Sequence, residues 1–267
     1  MRLLRCLSVF ALLVLAVAPN ALAASTMPKS GILVFADGAS GPITQVRDKE
    51  SGKVVWSESS LPDGNAGADA CGDSRHANIG ATWKTFEPFV VNSGTVPSYL
   101  GRSQAVADLV AAARAWESPF ATDCADVPGD ASYQVVYGGS TSAHASLVNF
   151  ASDGRNVVEF RSLAGTMCDI PSVLGCTIID YDRGRINEAD MILESDLTRT
   201  GFPGVWTTSD TTDASHLALS DAATHEFGHF AGLDHVKNSP ELTMYPIVGD
   251  GAQTLGLGDM KGMLALY

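Results

Sequence analysis

Residues 32–35 and 54–56 are short apolar runs rich in β-branched and aromatic side chains, and 43–47 mixes apolar and polar positions; all three read as strands. The run Lys49-Glu50-Ser51-Gly52-Lys53 has the composition of a turn joining the last two, and Leu61-Pro62-Asp63-Gly64-Asn65-Ala66-Gly67 reads as a linker. Further strands are expected at 86–92, with Pro88 near the start, and at 133–137, 157–161, 176–181 and 191–194. Over 103–116 the period lengthens: Val106, Leu109, Val110, Ala113 and Trp116 recur at helical spacing. A second helical stretch runs through 217–230. There Ala218, Ala222 and Ala223 favour the helix, and Leu219, Phe227 and Phe230 offer apolar surface. From about residue 79 the order is strand, helix, strands, helix, helix, which predicts an α+β domain with a twisted mixed sheet and a helix behind it. No internal repeat or low-complexity tract is present.

The N-terminus departs from this pattern. Arg2 and Arg5 precede an apolar run from Leu7 to Ala18, and Ala21-Leu22-Ala23 is a small-residue cleavage site. These are the parts of a secretory signal, and Pro19 and Asn20 interrupt the run too early for a membrane span. The expected organisation is a signal peptide at 1–23, an N-terminal extension or propeptide-like β segment at 24–78, and a main domain at 79–267. The chain carries a net charge of −13. Loss of Arg2 and Arg5 with the signal makes it more negative still, which disfavours nucleic acid and anionic membranes as partners. A solvated acidic surface on a secreted, extracellular monomer is expected.

Cleavage also removes Cys6 and leaves Cys71, Cys124, Cys168 and Cys176. An even count in an exported chain suggests two disulfides, with three pairings open. The favoured set is Cys168–Cys176, closing a short loop around Pro171 and Gly175, with Cys71–Cys124.

The densest chemistry lies at residues 225–235, HEFGHFAGLDH. His225 and His229 stand one helical turn apart on one face and can aim both imidazoles at one ion. Gly232 can turn the chain at the helix end, so that His235 returns as a third ligand. Three neutral imidazoles leave one tetrahedral position open, the arrangement of a catalytic zinc site. Glu226 lies about 100° further round the helix, beside the ion, where it can act as general base and then general acid. The run H-E-x-x-H-x-x-G-x-x-H is a zinc-hydrolase signature.

With Leu242-Thr243-Met244-Tyr245-Pro246 downstream, the sequence resembles the metzincin metalloproteases and, within them, the matrixins. The resemblance extends upstream through Leu219-Ser220-Asp221-Ala222-Ala223-Thr224 and through 184–193, which looks like the hairpin leading into the edge strand above the cleft. Downstream, 259–267 looks like the closing helix. It implies a metzincin-like fold, with a backing helix, an active-site helix and a C-terminal helix. It also implies a zinc endopeptidase acting on polypeptides, with Met244 as an apolar floor beneath the ligands. Substrate would pair with the edge strand near Asp190–Glu194. Calcium is compatible with the resemblance. As a matrixin-like alternative to its disulfide, Cys71 could act as an inhibitory zinc ligand, although Ala70-Cys71-Gly72-Asp73 shares only Cys-Gly with that switch.

Three features depart from the matrixin pattern. Val236 stands where serine is usual and Val248 where tyrosine lines the S1′ pocket. His76, His144 and His216 are scattered, without the spacing of a second, structural zinc site. They read as surface or hydrogen-bonded histidines. The stretch 180–190 reads as a β-turn rather than a calcium loop, since its glycine is misplaced and Arg183 and Arg185 oppose a cation. Asp234 either orients a ligand or sits on an exposed turn. A zinc-containing binding or adhesion module with little turnover is the alternative function. Glu226 argues against it, since such a module needs no base beside its metal.

Overall fold

The computed structural model describes residues 27–38, 43–59, 69–85, 87–125, 129–247 and 251–267. The signal segment, the 61–67 linker, Phe86 and Val248 lie outside these residues. Among the described residues the strands are β1 (Ser30–Gly38), β2 (Ile43–Arg47), β3 (Val54–Ser59), β4 (Glu87–Val91), β5 (Val135–Ser140), β6 (Asn156–Arg161), β7 (Val173–Asp182), β8 (Arg185–Glu194), β9 (Val205–Thr207) and β10 (His216–Ala218). The helices are α1 (Arg102–Arg114), α2 (Leu219–Phe230) and α3 (Leu257–Leu266). The α+β class is as expected. The short parallel pair β9–β10 was not foreseen.

Eight strands form one mixed sheet in the order β3-β2-β1-β7-β8-β6-β4-β5. The four strands β5, β4, β6 and β8 are parallel, and β7 and then β1 run antiparallel to their neighbours. The hairpin β7–β8 turns through Arg183 (φ 47°) and Gly184 (φ 79°), two left-handed residues as a tight two-residue turn requires. That confirms the turn reading of this stretch.

One correction follows from the strand order. β8, which contains Asp190–Glu194, is not an edge strand: β6 and β7 pair with its two sides. Substrate cannot add to it. Beyond the parallel block lies β7, antiparallel to β8, and the N-terminal segment pairs along its other side.

The sheet is buried on both faces where it matters. Leu33, Phe35, Ile179 and Met191 point to the side of the helices, packing with Trp116, Phe227 and Phe230. Ile32, Val34, Ala36, Ile178 and Ile192 point the other way, under Leu147, Val148 and Leu163. That alternation is the strand period made visible. A fully buried side chain of this size contributes roughly 1.5–3 kcal/mol, so β1 is anchored by several. Helix α1 holds α2 against the sheet: Trp116, just past its end, donates its indole N–H to the Thr224 carbonyl at 2.9 Å. Both favoured disulfides are present, Cys71–Cys124 and Cys168–Cys176.

Candidate metal centre

Helix α2 is buried almost throughout, and both its histidines are fully enclosed. It ends at Ala231, and Gly232 takes φ 102°, the left-handed turn that the motif's glycine implied. A side chain there would also meet the Ala81 carbonyl oxygen at 2.5 Å. The turn brings His235 back, so that His229 Nε2 stands 3.1 Å from His225 Nε2 and 3.1 Å from His235 Nε2.

The protonation of these rings follows from their other nitrogens. His225 Nδ1–H donates to the Thr243 carbonyl at 2.6 Å, and His229 Nδ1–H donates to the Leu233 carbonyl at 3.0 Å. Each ring so held presents a bare lone pair at Nε2, and the lone pairs converge. Burial drives the His229 pKa down to about 4, which keeps it neutral and able to ligate. Neutral nitrogens facing one another repel unless a cation lies between them. Tetrahedral zinc with Zn–N near 2.0–2.1 Å places its ligands roughly 3.3 Å apart. The donor set therefore fits a zinc ion.

Met244 is buried, packs on Gly228 of α2 and accepts the Val236 N–H on its own carbonyl at 2.9 Å. The turn that carries it is held by Asp259 at the start of α3, whose carboxylate accepts the N–H groups of Thr243 (2.9 Å), Met244 (3.1 Å) and Gly256 (2.9 Å). Asp259 thus fixes the carbonyl that orients His225. Its only signal in the sequence was an acidic residue in the first turn of a helix.

Glu226 is fully buried and packs against Gly175 of β7, where any side chain would collide with its carboxylate. It accepts a hydrogen bond from the Thr177 hydroxyl, which also reaches the Glu226 carbonyl at 3.2 Å. Burial first, then the charge of Asp37, push its pKa well above the usual carboxylate range.

Asp37 was not anticipated. The β1–β7 register sets it opposite Gly175, and its carboxylate reaches into the histidine cluster. Asp37 Oδ1 is 2.5 Å from His235 Nε2, and Oδ2 is 3.2 Å from His229 Nε2 and 3.8 Å from His225 Nε2. The four residues form one group able to hold a metal ion, with ligand atoms within 4.8 Å of one another. Burial opposes ionisation of Asp37, and positive charge at the positions of His235 and His229, such as a cation held there would also supply, holds its pKa well below the usual range. Two residues earlier, Phe35 stacks on the His229 ring at 3.8 Å between centroids. Nothing local in the sequence marks Asp37, because the strand pairing that delivers it is long-range.

The other candidates resolve as follows. Cys71 is bonded to Cys124 and is not a metal ligand. Asp234 accepts the backbone N–H of His235 at 2.8 Å, so it fixes that residue's main chain rather than its ring. His144 and His216 are exposed and pair with Glu159 and Asp213, and His76 leans on the Ser74 carbonyl. Val236 is buried in the main core. A cavity of about 540 Å³ lined by Met27, Ile79, Tyr181 and Gly184 shares no residue with the histidine site.

No curated protein matches the chain. The matrixin family model matches residues 187–267, the stretch that carries the histidines, the glycine turn and the methionine turn. Over those residues the chain is similar to the matrixins, a zinc metalloprotease family, and its three histidines with Asp37 form a group that could hold a metal ion.

Proposed function

We propose that the chain is a secreted zinc-dependent endopeptidase with a matrixin-like catalytic domain from about residue 79, preceded by the 24–78 segment and, before it, a removable signal at 1–23. The observation that carries this reading is the convergence of three imidazole Nε2 atoms beside a buried carboxylate. His225, His229 and His235 would hold the ion. A zinc ion there supplies Lewis-acid polarisation of a carbonyl and makes water a better acid. Glu226 takes a proton on its carboxylate as water attacks and returns it to the departing amine, so the proton count balances across the cleavage. Gly175 gives that carboxylate room, and Thr177 sets its direction. Met244 and Asp259 keep the floor and the His225 orientation fixed. Two disulfides suit an oxidising, extracellular compartment.

The test is Glu226→Gln in the active protein. Zinc content is expected to stay at one ion per chain while cleavage of denatured casein falls by about 10²–10⁴-fold, the usual worth of a general acid–base. Unchanged cleavage rejects the mechanism. A parent protein that binds zinc and cleaves no peptide in any processed form favours the binding-module alternative.

A further inference from the structure

Four observations about residues 30–59 point one way. β1 pairs antiparallel with β7 along its whole length, Ser30 opposite Asp182 through Gly38 opposite Val173, and so fills the outer edge of the strand that packs on α2. Both Asp37 carboxylate oxygens are fully buried, have no hydrogen-bond partner among the described residues, and face the histidine cluster. Phe35 covers His229, and Thr44 of β2 lies 3.5 Å from His235 Nδ1, so the segment closes the site from above. Lys237, just past His235, is ion-paired to Glu58 of β3.

An extended peptide that adds to an exposed sheet edge is the ordinary way a cleft receives a substrate chain. β1 holds that place here, but it presents a side-chain carboxylate to the metal position where a substrate would present a scissile carbonyl. A carboxylate is a good zinc ligand and offers no peptide bond to cut. Neither disulfide involves residues 27–59, so one cut between Ser59 and Cys71 leaves this segment held by non-covalent contacts alone.

Building on the metalloprotease reading above, we propose that residues 30–59 are a built-in inhibitor: β1 occupies the substrate edge of β7, and Asp37 is the fourth ligand of the metal. The Cys71 switch suggested by the resemblance is thereby replaced by a carboxylate delivered from the sheet. The active enzyme is the chain without this segment, and its substrate is an extended polypeptide that pairs antiparallel with β7.

The experiment uses the full uncleaved chain, verified by intact mass, loaded with cobalt in place of zinc and titrated with acetohydroxamate while the cobalt visible spectrum is followed. Wild type, Asp37→Ala and Asp37→Asn are compared, each before and after limited proteolysis. The intact wild type is expected to bind the hydroxamate about tenfold or more weakly than Asp37→Ala, because its open state is rarely populated. Proteolysed wild type is expected to match the variant, to lack residues 30–59 by mass, and to gain peptidase activity. Should Asp37→Ala fail to fold, Asp37→Asn keeps the side-chain shape and carries the comparison. Equal hydroxamate affinity for intact wild type and the folded variants overturns this proposal alone, as does an active form that retains residues 30–59. Failure of every form to take up cobalt overturns the metalloprotease reading as well.

Discussion

The histidines and Asp37 meet at one point, yet they arrive by opposite routes. His225, His229 and His235 come from α2 and the turn that ends it, positioned by helix pitch and one left-handed glycine. Asp37 comes from β1, far upstream, positioned by a nine-residue ladder and by apolar packing on both faces of the sheet. The first route is local, rigid and built into the stretch that is similar to the matrixins. The second is detachable in principle, because a strand is held by its neighbours and not by its own hydrogen bonds. A metal site closed from one side by a local motif and from the other by a borrowed strand is one whose access can be changed without rebuilding its ligands.

The comparison can be broken most severely on the local side. His229→Ala removes the central ligand, and both metal content and peptidase activity are expected to fall to background, measured by elemental analysis and casein cleavage. On the borrowed side, Phe35→Ala removes a fully buried ring stacked on His229. We expect a loss of about 3–5 kcal/mol and a Tm drop of roughly 10 °C in the intact chain, with one metal ion still bound. Loss of the metal would show that β1 builds the site rather than covering it.

Gly232→Ala tests the turn between the two helix-borne ligands and the third. An alanine at φ 102° costs roughly 1–2 kcal/mol, and its Cβ would press on the Ala81 carbonyl at 2.5 Å. A Tm drop of a few degrees with weakened zinc retention is expected, read by calorimetry and by chelator competition; an unchanged metal affinity would mean that His235 is placed by its surroundings and not by the glycine.

The smallest effect lies in the connection between the two regions. Arg75 holds the Asp73 pKa down to about 2, against an ordinary 3.8. Because the folded value is the lower, this pair stabilises the fold above about pH 4, and its contribution disappears as the pH falls through 2. With Arg75 half-exposed, Asp73→Asn is expected to cost about 1 kcal/mol or less at neutral pH. The Tm gap to wild type should close on acidification; a gap that widens below pH 4 contradicts the assignment.

Much of this was legible in the residues themselves. The stretches 32–35, 43–47 and 157–161 fall inside β1, β2 and β6, since short runs rich in β-branched and aromatic residues favour strands wherever they can be buried. The three histidines, Glu226 and Gly232 were readable because their spacings are set by one helix and one turn, whereas Met244 was marked only by the family resemblance. What misled was the strand at 191–194. Its apolar run marks burial on both sides, and an interior parallel-block strand and an edge strand are told apart only by their neighbours. Gly175, Thr177 and Asp259 escaped notice for the same reason: each matters through a contact with a distant residue.

The sequence alone determined the local chemistry, namely which nitrogens can converge, which carboxylate stands beside them and where the helix must stop, because those depend on dihedral angles and helical pitch within a few residues. Tertiary structure alone decided what lies opposite that chemistry: which strand is the edge, which segment covers it, and that Asp37 rather than Cys71 reaches the histidines. Strand order and register are set by the summed burial of many side chains across the sheet, and no short stretch of sequence carries that sum.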